Sequence, residues 1–130
     1  MERKKRRVRP MNNSKVYITN FFPYQNYDGA FKHTNLSKEE AQCIMFKGFF
    51  PLRNLNKLCF EINEKIKDSK KNDLLLLTGK GILDGLVLWI WLMKHHAVKI
   101  LIFNQQQDKY FMQALSAEDL ANLSIGDGNG

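Results

Sequence analysis

At 130 residues, with 44% apolar and 25% charged side chains, the chain is sized for one globular domain and excludes a miniature fold held by disulfides or metal. The net charge of +7 is concentrated in the first ten residues, where Arg3, Lys4, Lys5, Arg6, Arg7 and Arg9 against Glu2 supply +5 of it. From Met11 onward fourteen Lys/Arg face twelve Asp/Glu, so the pattern is a basic arm, residues 1–14, on a nearly neutral body.

Such an arm would bind nucleic acid by neutralising phosphates, a sequence-blind and salt-dependent affinity. The alternatives are a solvated tail, or an extension ahead of a start at Met11. After it, Lys15 to Phe22 (KVYITNFF) is rich in β-branched and aromatic residues and stops at Pro23, which reads as a first strand. PYQNYDG is turn chemistry. Ser37 with Glu40 three residues on is a capping-box pattern, and a helix is expected from there to about Phe46, ended by Gly48 and Pro51.

A second helix is expected from Asn54, because Leu55, Leu58, Cys59, Ile62 and Ile66 recur at helical spacing. A polar loop, KDSKKND, leads to the continuous apolar run Leu74 to Leu77, the signature of a strand covered on both faces. Then come a helix from Ile82 to His96, a strand from Val98 to Phe103, a polar turn, and a returning antiparallel strand from Tyr110 to Leu115. Ser116 and Asp119 suit the cap of a short final helix, and SIGDGNG has too little apolar content to pack. The expected fold is a small three-layer, Rossmann-like α/β domain over residues 15–123, with about three parallel strands, one antiparallel edge strand and a flexible tail at 124–130.

The candidate site is the strand-to-helix turn Thr78, Gly79, Lys80, Gly81. Helix N-termini leave backbone N–H groups unpaired at the positive end of the helix dipole, glycine admits close approach of an anion, and Lys80 adds a full charge. The spacing, GxGxxxG, is one residue longer than the dinucleotide fingerprint, and GxxxxGK[ST] is absent. The glycines would equally serve a tight turn alone, with Gly85 letting the helix lie close to the sheet. The other strand ends carry Asn20, Asn104 and Gln105, polar groups placed where open α/β sheets hold ligands.

The helix over Leu86 to Met93 is apolar all round. Leu83, Val87, Ile90 and Trp91 form one side, and Leu86, Trp89, Leu92 and Met93 another, so both sides need covering. Either the Asn54 helix covers the second side, or the protein is a homodimer with Trp89 or Trp91 at the interface. His95 and His96 suit the helix C-terminus through the dipole, and adjacent histidines on a helix cannot share one metal ion. His33, on a loop, is a free-standing candidate base. No cofactor, metal-ligand set or catalytic constellation is assigned, and Phe21, Phe22, Phe31, Phe46, Phe49 and Phe50 read as core before base-stacking platforms. Cys43 and Cys59 lack CxxC spacing and read as reduced core thiols. The N-terminus has no apolar signal stretch, and Leu86 to Met93 is too short to span a bilayer, so a cytoplasmic, membrane-free setting is expected.

The strand LLLLTGKG, its buried helix and the strand VKILIF resemble the Rossmann-like CARF domains of CRISPR-linked proteins and of small accessory proteins of mobile elements and antiviral systems. The resemblance implies a dimer that binds a cyclic oligonucleotide at its strand ends, with Thr78, Gly79, Lys80 and Gly81 facing it. Two functions follow as expectations: a nucleotide- or oligonucleotide-binding protein, or an interaction module that docks by its apolar helix and basic arm with no small-molecule site.

Overall fold

The computed structural model describes residues 13–48, 54–79 and 81–128. Residues 1–12 of the basic arm and Lys80 lie outside these residues, as do Phe49, Phe50 and Pro51, whereas Ser14, assigned to the arm from the sequence, is buried and donates to the Asn72 carbonyl at 2.6 Å. Five strands form one sheet: β1 (Val16–Phe21), β2 (Gln42–Lys47), β3 (Leu74–Leu76), β4 (Ala97–Asn104) and β5 (Lys109–Ser116), in the order β2-β1-β3-β4-β5. The first four are mutually parallel, and β5 runs antiparallel along β4 from Asn104↔Lys109 to Ala97↔Ser116. The α/β class and the antiparallel edge agree with the sequence; the parallel set has four strands where about three were expected.

The fourth is β2, which replaces the second half of the helix expected to reach Phe46. The capping box does form, with the Ser37 and Glu40 side chains each bonded to the other's backbone N–H, but helix α1 covers only Lys38–Ala41. From Gln42 the chain pairs with β1 from Val16↔Gln42 to Phe21↔Lys47. A run as short as QCIMFK is compatible with either state, and the ladder offered by β1 decides for strand. Gly48, at φ +66°, turns the chain away from the strand end and donates its N–H to the Phe21 carbonyl at 3.0 Å.

Three helical segments cover the sheet besides α1: a 3-10 helix at Asp28–His33, α2 (Leu55–Lys65) and α3 (Gly81–His95). Alternation along the strands sorts the core into two layers. Val16, Ile18, Leu74, Leu76 and Leu101 face the 3-10 helix through Ala30 and Phe31, and α1 through Ala41. Tyr17, Leu75 and Val98 face the opposite way, onto Leu58 and Ile62 of α2 and Leu83, Val87 and Trp91 of α3. Asn54 caps α2 by accepting the Lys57 N–H, as its position in the sequence indicates, although Leu55 at the head of the expected apolar stripe is exposed.

Trp91 is 0% exposed and stacks edge-on against Tyr17, so it belongs to the core and not to an interface. Trp89 and Met93, 65% and 68% exposed, stay outside. Residues of α2 cover the Trp91 side of α3 and leave the Trp89 side open. After β5, Ser116 accepts the Asp119 N–H and α4 (Ala117–Gly128) follows, running on into the residues expected to form a flexible tail. No helix among the described residues is long and apolar enough to cross a membrane.

Candidate functional site

The chain leaves β1 toward the face covered by the 3-10 helix and leaves β3 toward the face covered by α3. Neighbouring strands whose connections depart to opposite faces open a crevice at their carboxyl ends, where open α/β sheets place ligands, and the order 2-1-3-4-5 puts that point between β1 and β3. The residues filling it are the end of β1 and the turn after β3.

Thr19, wholly buried, is the hub. Its hydroxyl donates to Asp84 Oδ1 at 2.7 Å and accepts the amides of Thr78 at 2.9 Å and Gly79 at 3.1 Å. The Gly79 N–H is shared with Asp84 Oδ1 at 3.0 Å. Thr78 in turn donates its hydroxyl to the Asn20 carbonyl at 2.6 Å and accepts the Asn20 N–H at 3.1 Å. The two amides that an anion would use at Thr78 and Gly79 are therefore already satisfied, and a carboxyl group of the protein occupies the place beside the first turn of α3. Burial pushes the Asp84 carboxyl above its usual range, against the opposing pull of the Thr19 hydroxyl and the Gly79 N–H. Asp84 was not among the site residues expected from the sequence, where its one signal is that of an acid in the first turn of a helix.

Beside this closed knot lies an open cleft of about 930 Å³ at the ends of β3 and β4. It brings together Thr78, Asn104 and Gln105 of the expected site. Asn20 does not line it: its Nδ2 donates to the Gly48 carbonyl, and its buried Oδ1 has no partner among the described residues. Gly79 and Gly81 lie outside the lining too, and a Cβ on Gly81 would meet open space. Gln25, Asn26 and Tyr27, which the sequence suggested only as a turn, close the cleft from the β1 side, while Phe103 and Tyr110, with ring centroids 5.1 Å apart, belong to its β4–β5 wall. An amide-rich turn directly after a strand was the available signal for the first three. Among the described residues the lining carries no carboxylate, histidine or amine, and burial pushes the Tyr110 hydroxyl above its ordinary range.

Two of the three histidines bond within the scaffold. His33 Nε2 lies 3.0 Å from the Tyr110 carbonyl, which can only accept, so it donates and ties the 3-10 helix to β5. Ser69 donates to the Ile66 carbonyl at 2.6 Å, so His95 Nε2, 2.8 Å from Ser69 Oγ, is also the donor there. Among the described residues no group of three or more His, Cys, Asp or Glu is arranged to hold a metal. Of the phenylalanines, Phe31 is buried, Phe21 packs on Tyr27, Phe22 on Tyr24, and Lys65 sits over the ring of Phe46. A second, apolar groove of about 510 Å³ runs along the outer side of α3 between Gly85, Leu88, Trp89, Leu92 and Met93.

No curated protein and no solved structure matches the chain. A family model does, over residues 14–116, a span that holds all five strands and the helices packed on them. The chain belongs to the phage Pam3 gp32-like protein family.

Proposed function

We propose that this chain is a cytoplasmic protein that binds a nucleotide or oligonucleotide in the cleft at the ends of β3 and β4. The observation that carries the reading is the convergence there of Thr78, Asn104 and Gln105 with Tyr27, Phe103 and Tyr110 in about 930 Å³, a size typical of ligand sites. Carboxamides recognise base edges and sugar or phosphate oxygens, and aromatic walls accommodate a base. The binding surface is thus the cleft and not the amides of Thr78 and Gly79, which are engaged. The basic arm would add phosphate attraction from outside the described residues.

The test is thermal unfolding of the full chain with a panel of mono-, di- and cyclic oligonucleotides, the last because the CARF-like resemblance implies them. A ligand at a hundred times its Kd adds about 2.7 kcal/mol to stability, a shift of several degrees in Tm. No rise with any member at millimolar concentration overturns the reading. Deleting Met1 to Pro10 should flatten the salt dependence of oligonucleotide binding if the arm takes part.

A second reading, of a docking module, is favoured by the groove on α3. With Trp89 and Met93 both more than half exposed along one helix face, a second copy packed there would bury the side that α2 leaves open. Light scattering at micromolar concentration would show twice the chain mass, reduced to one by Trp89→Glu; a single-chain mass for the unmodified protein removes the dimer.

A further inference from the structure

Three of the four carboxamides that line the cleft present the same end, and this restricts its ligand. Three of the lining side chains have their oxygens engaged within the protein. Gln25 Oε1 accepts from the Tyr27 hydroxyl at 2.7 Å, Asn26 Oδ1 accepts from the Asp28 N–H at 2.8 Å, and Asn104 Oδ1 accepts from the Gln107 N–H at 3.1 Å. A backbone N–H can be matched only by an oxygen, which fixes the NH₂ end of Asn26 and Asn104, and the donating Tyr27 hydroxyl places the Gln25 oxygen in the same way. In all three the NH₂ is the end left without a partner among the described residues. The Tyr27 hydroxyl is spent as well, since it donates to Gln25 and accepts the Phe22 N–H at 3.1 Å. Thr78 Oγ1 has likewise given its proton to the Asn20 carbonyl.

These three side chains offer the polar rim uncharged donors from both sides, the β1 turn and the end of β4, beside the fourth carboxamide, Gln105. Among the described residues the lining includes no cation. We infer that the cleft holds its ligand through acceptor oxygens, which a phosphodiester or the two-carbonyl edge of a uracil-type base provides. The inference rests on the nucleotide-binding reading above and adds the chemistry of the group that is held.

Each amide can be altered without touching its internal bond. In Asn104→Asp, Asn26→Asp and Gln25→Glu the retained oxygen still accepts from Gln107, Asp28 or Tyr27, while the outward NH₂ becomes an oxygen. Unliganded melting should therefore be unchanged, which separates a binding effect from a folding one. Calorimetric titration of the full chain and of these variants with the dinucleotides ApA, CpC and UpU, at two salt concentrations, is the experiment.

A phosphodiester anchor predicts that all three bind alike and weaken with salt. A carbonyl anchor predicts UpU at least tenfold tighter than CpC, whose ring presents an amino donor in place of one carbonyl, with little salt dependence. In either case the carboxylate variants should bind at least tenfold more weakly. Binding to the unmodified chain that the variants leave untouched overturns the donor inference and spares the nucleotide site. Absence of binding by all three dinucleotides to the unmodified chain overturns both.

Discussion

The Thr19 hydroxyl donates to Asp84 Oδ1 at 2.7 Å, joining residues 65 positions apart and locking the end of β1 to the first turn of α3. Asp84→Asn keeps an oxygen that accepts from both Thr19 and Gly79, and removes the need to bury an ionisable group. Its stability at pH 7 should equal or exceed that of the unmodified chain by urea denaturation. Asp84→Ala removes the acceptor altogether and should cost about 1–2 kcal/mol, the range for an uncompensated buried donor. A loss as large for Asn as for Ala would show that charge, not acceptance, is what matters at this site.

Gly79 cannot accept a side chain without disturbing that knot. A Cβ there would lie 2.9 Å from Leu83 Cδ2 and 3.0 Å from Asp84 Oδ1. Gly79→Ala should destabilise by about 1–3 kcal/mol, the usual penalty of overpacking, whereas Gly81→Ala, with open space around it, should be neutral or mildly stabilising. Parallel urea curves for the two variants check the contrast.

Two tryptophans two positions apart should respond oppositely. Trp91, at 0% exposure between Tyr17 and the ring of His95, fills the core, and Trp91→Ala should cost about 3–5 kcal/mol. Its Nε1–H is buried without a partner among the described residues, so Trp91→Phe should cost distinctly less than the lost ring area suggests. Trp89→Ala, at a 65% exposed position, should stay within about 0.5 kcal/mol for the isolated chain. Thermal and urea unfolding at low concentration would read all three.

Acid should weaken the fold partly through His95. Burial, then the positive neighbour Lys94, holds its pKa below the ordinary 6.5, against the opposing pull of Asp73. Between the depressed folded value and 6.5 the unfolded chain binds more protons than the folded one, so stability rises with pH across that window and is complete above it. Asp84 works with the opposite sign: its raised pKa means the folded chain holds the proton longer, so its contribution falls as pH rises from 3.8. Below pH 6.5 the difference in unfolding midpoint between the unmodified chain and His95→Gln should shift in favour of the unmodified chain as pH rises, since Gln can still donate to Ser69 but does not titrate.

Much of the scaffold could be read from local pattern. The apolar run at Leu74 announces a two-face-covered strand, the stripe through Leu58 and Ile62 announces α2, and Ser37, Asn54 and Ser116 mark helix starts that the hydrogen bonds confirm. Such features depend on periodicity and capping, which act over a few residues and so leave a mark in a short window. Placement of Gln42–Lys47 as a strand was not legible, because it is the neighbouring β1 ladder that outweighs the helix the capping box begins.

The turn at Thr78 shows the same division at the candidate site. Its position at a strand end followed from the sequence alone, as did the polar character of Asn104 and Gln105. Whether its amides stay open depends on Thr19 and Asp84, and the cleft draws on segments near residues 25, 77 and 103. Hydrogen-bond partners and cavity walls are settled by what the folded backbone brings within about 3 Å, a distance on which spacing along the chain has no hold.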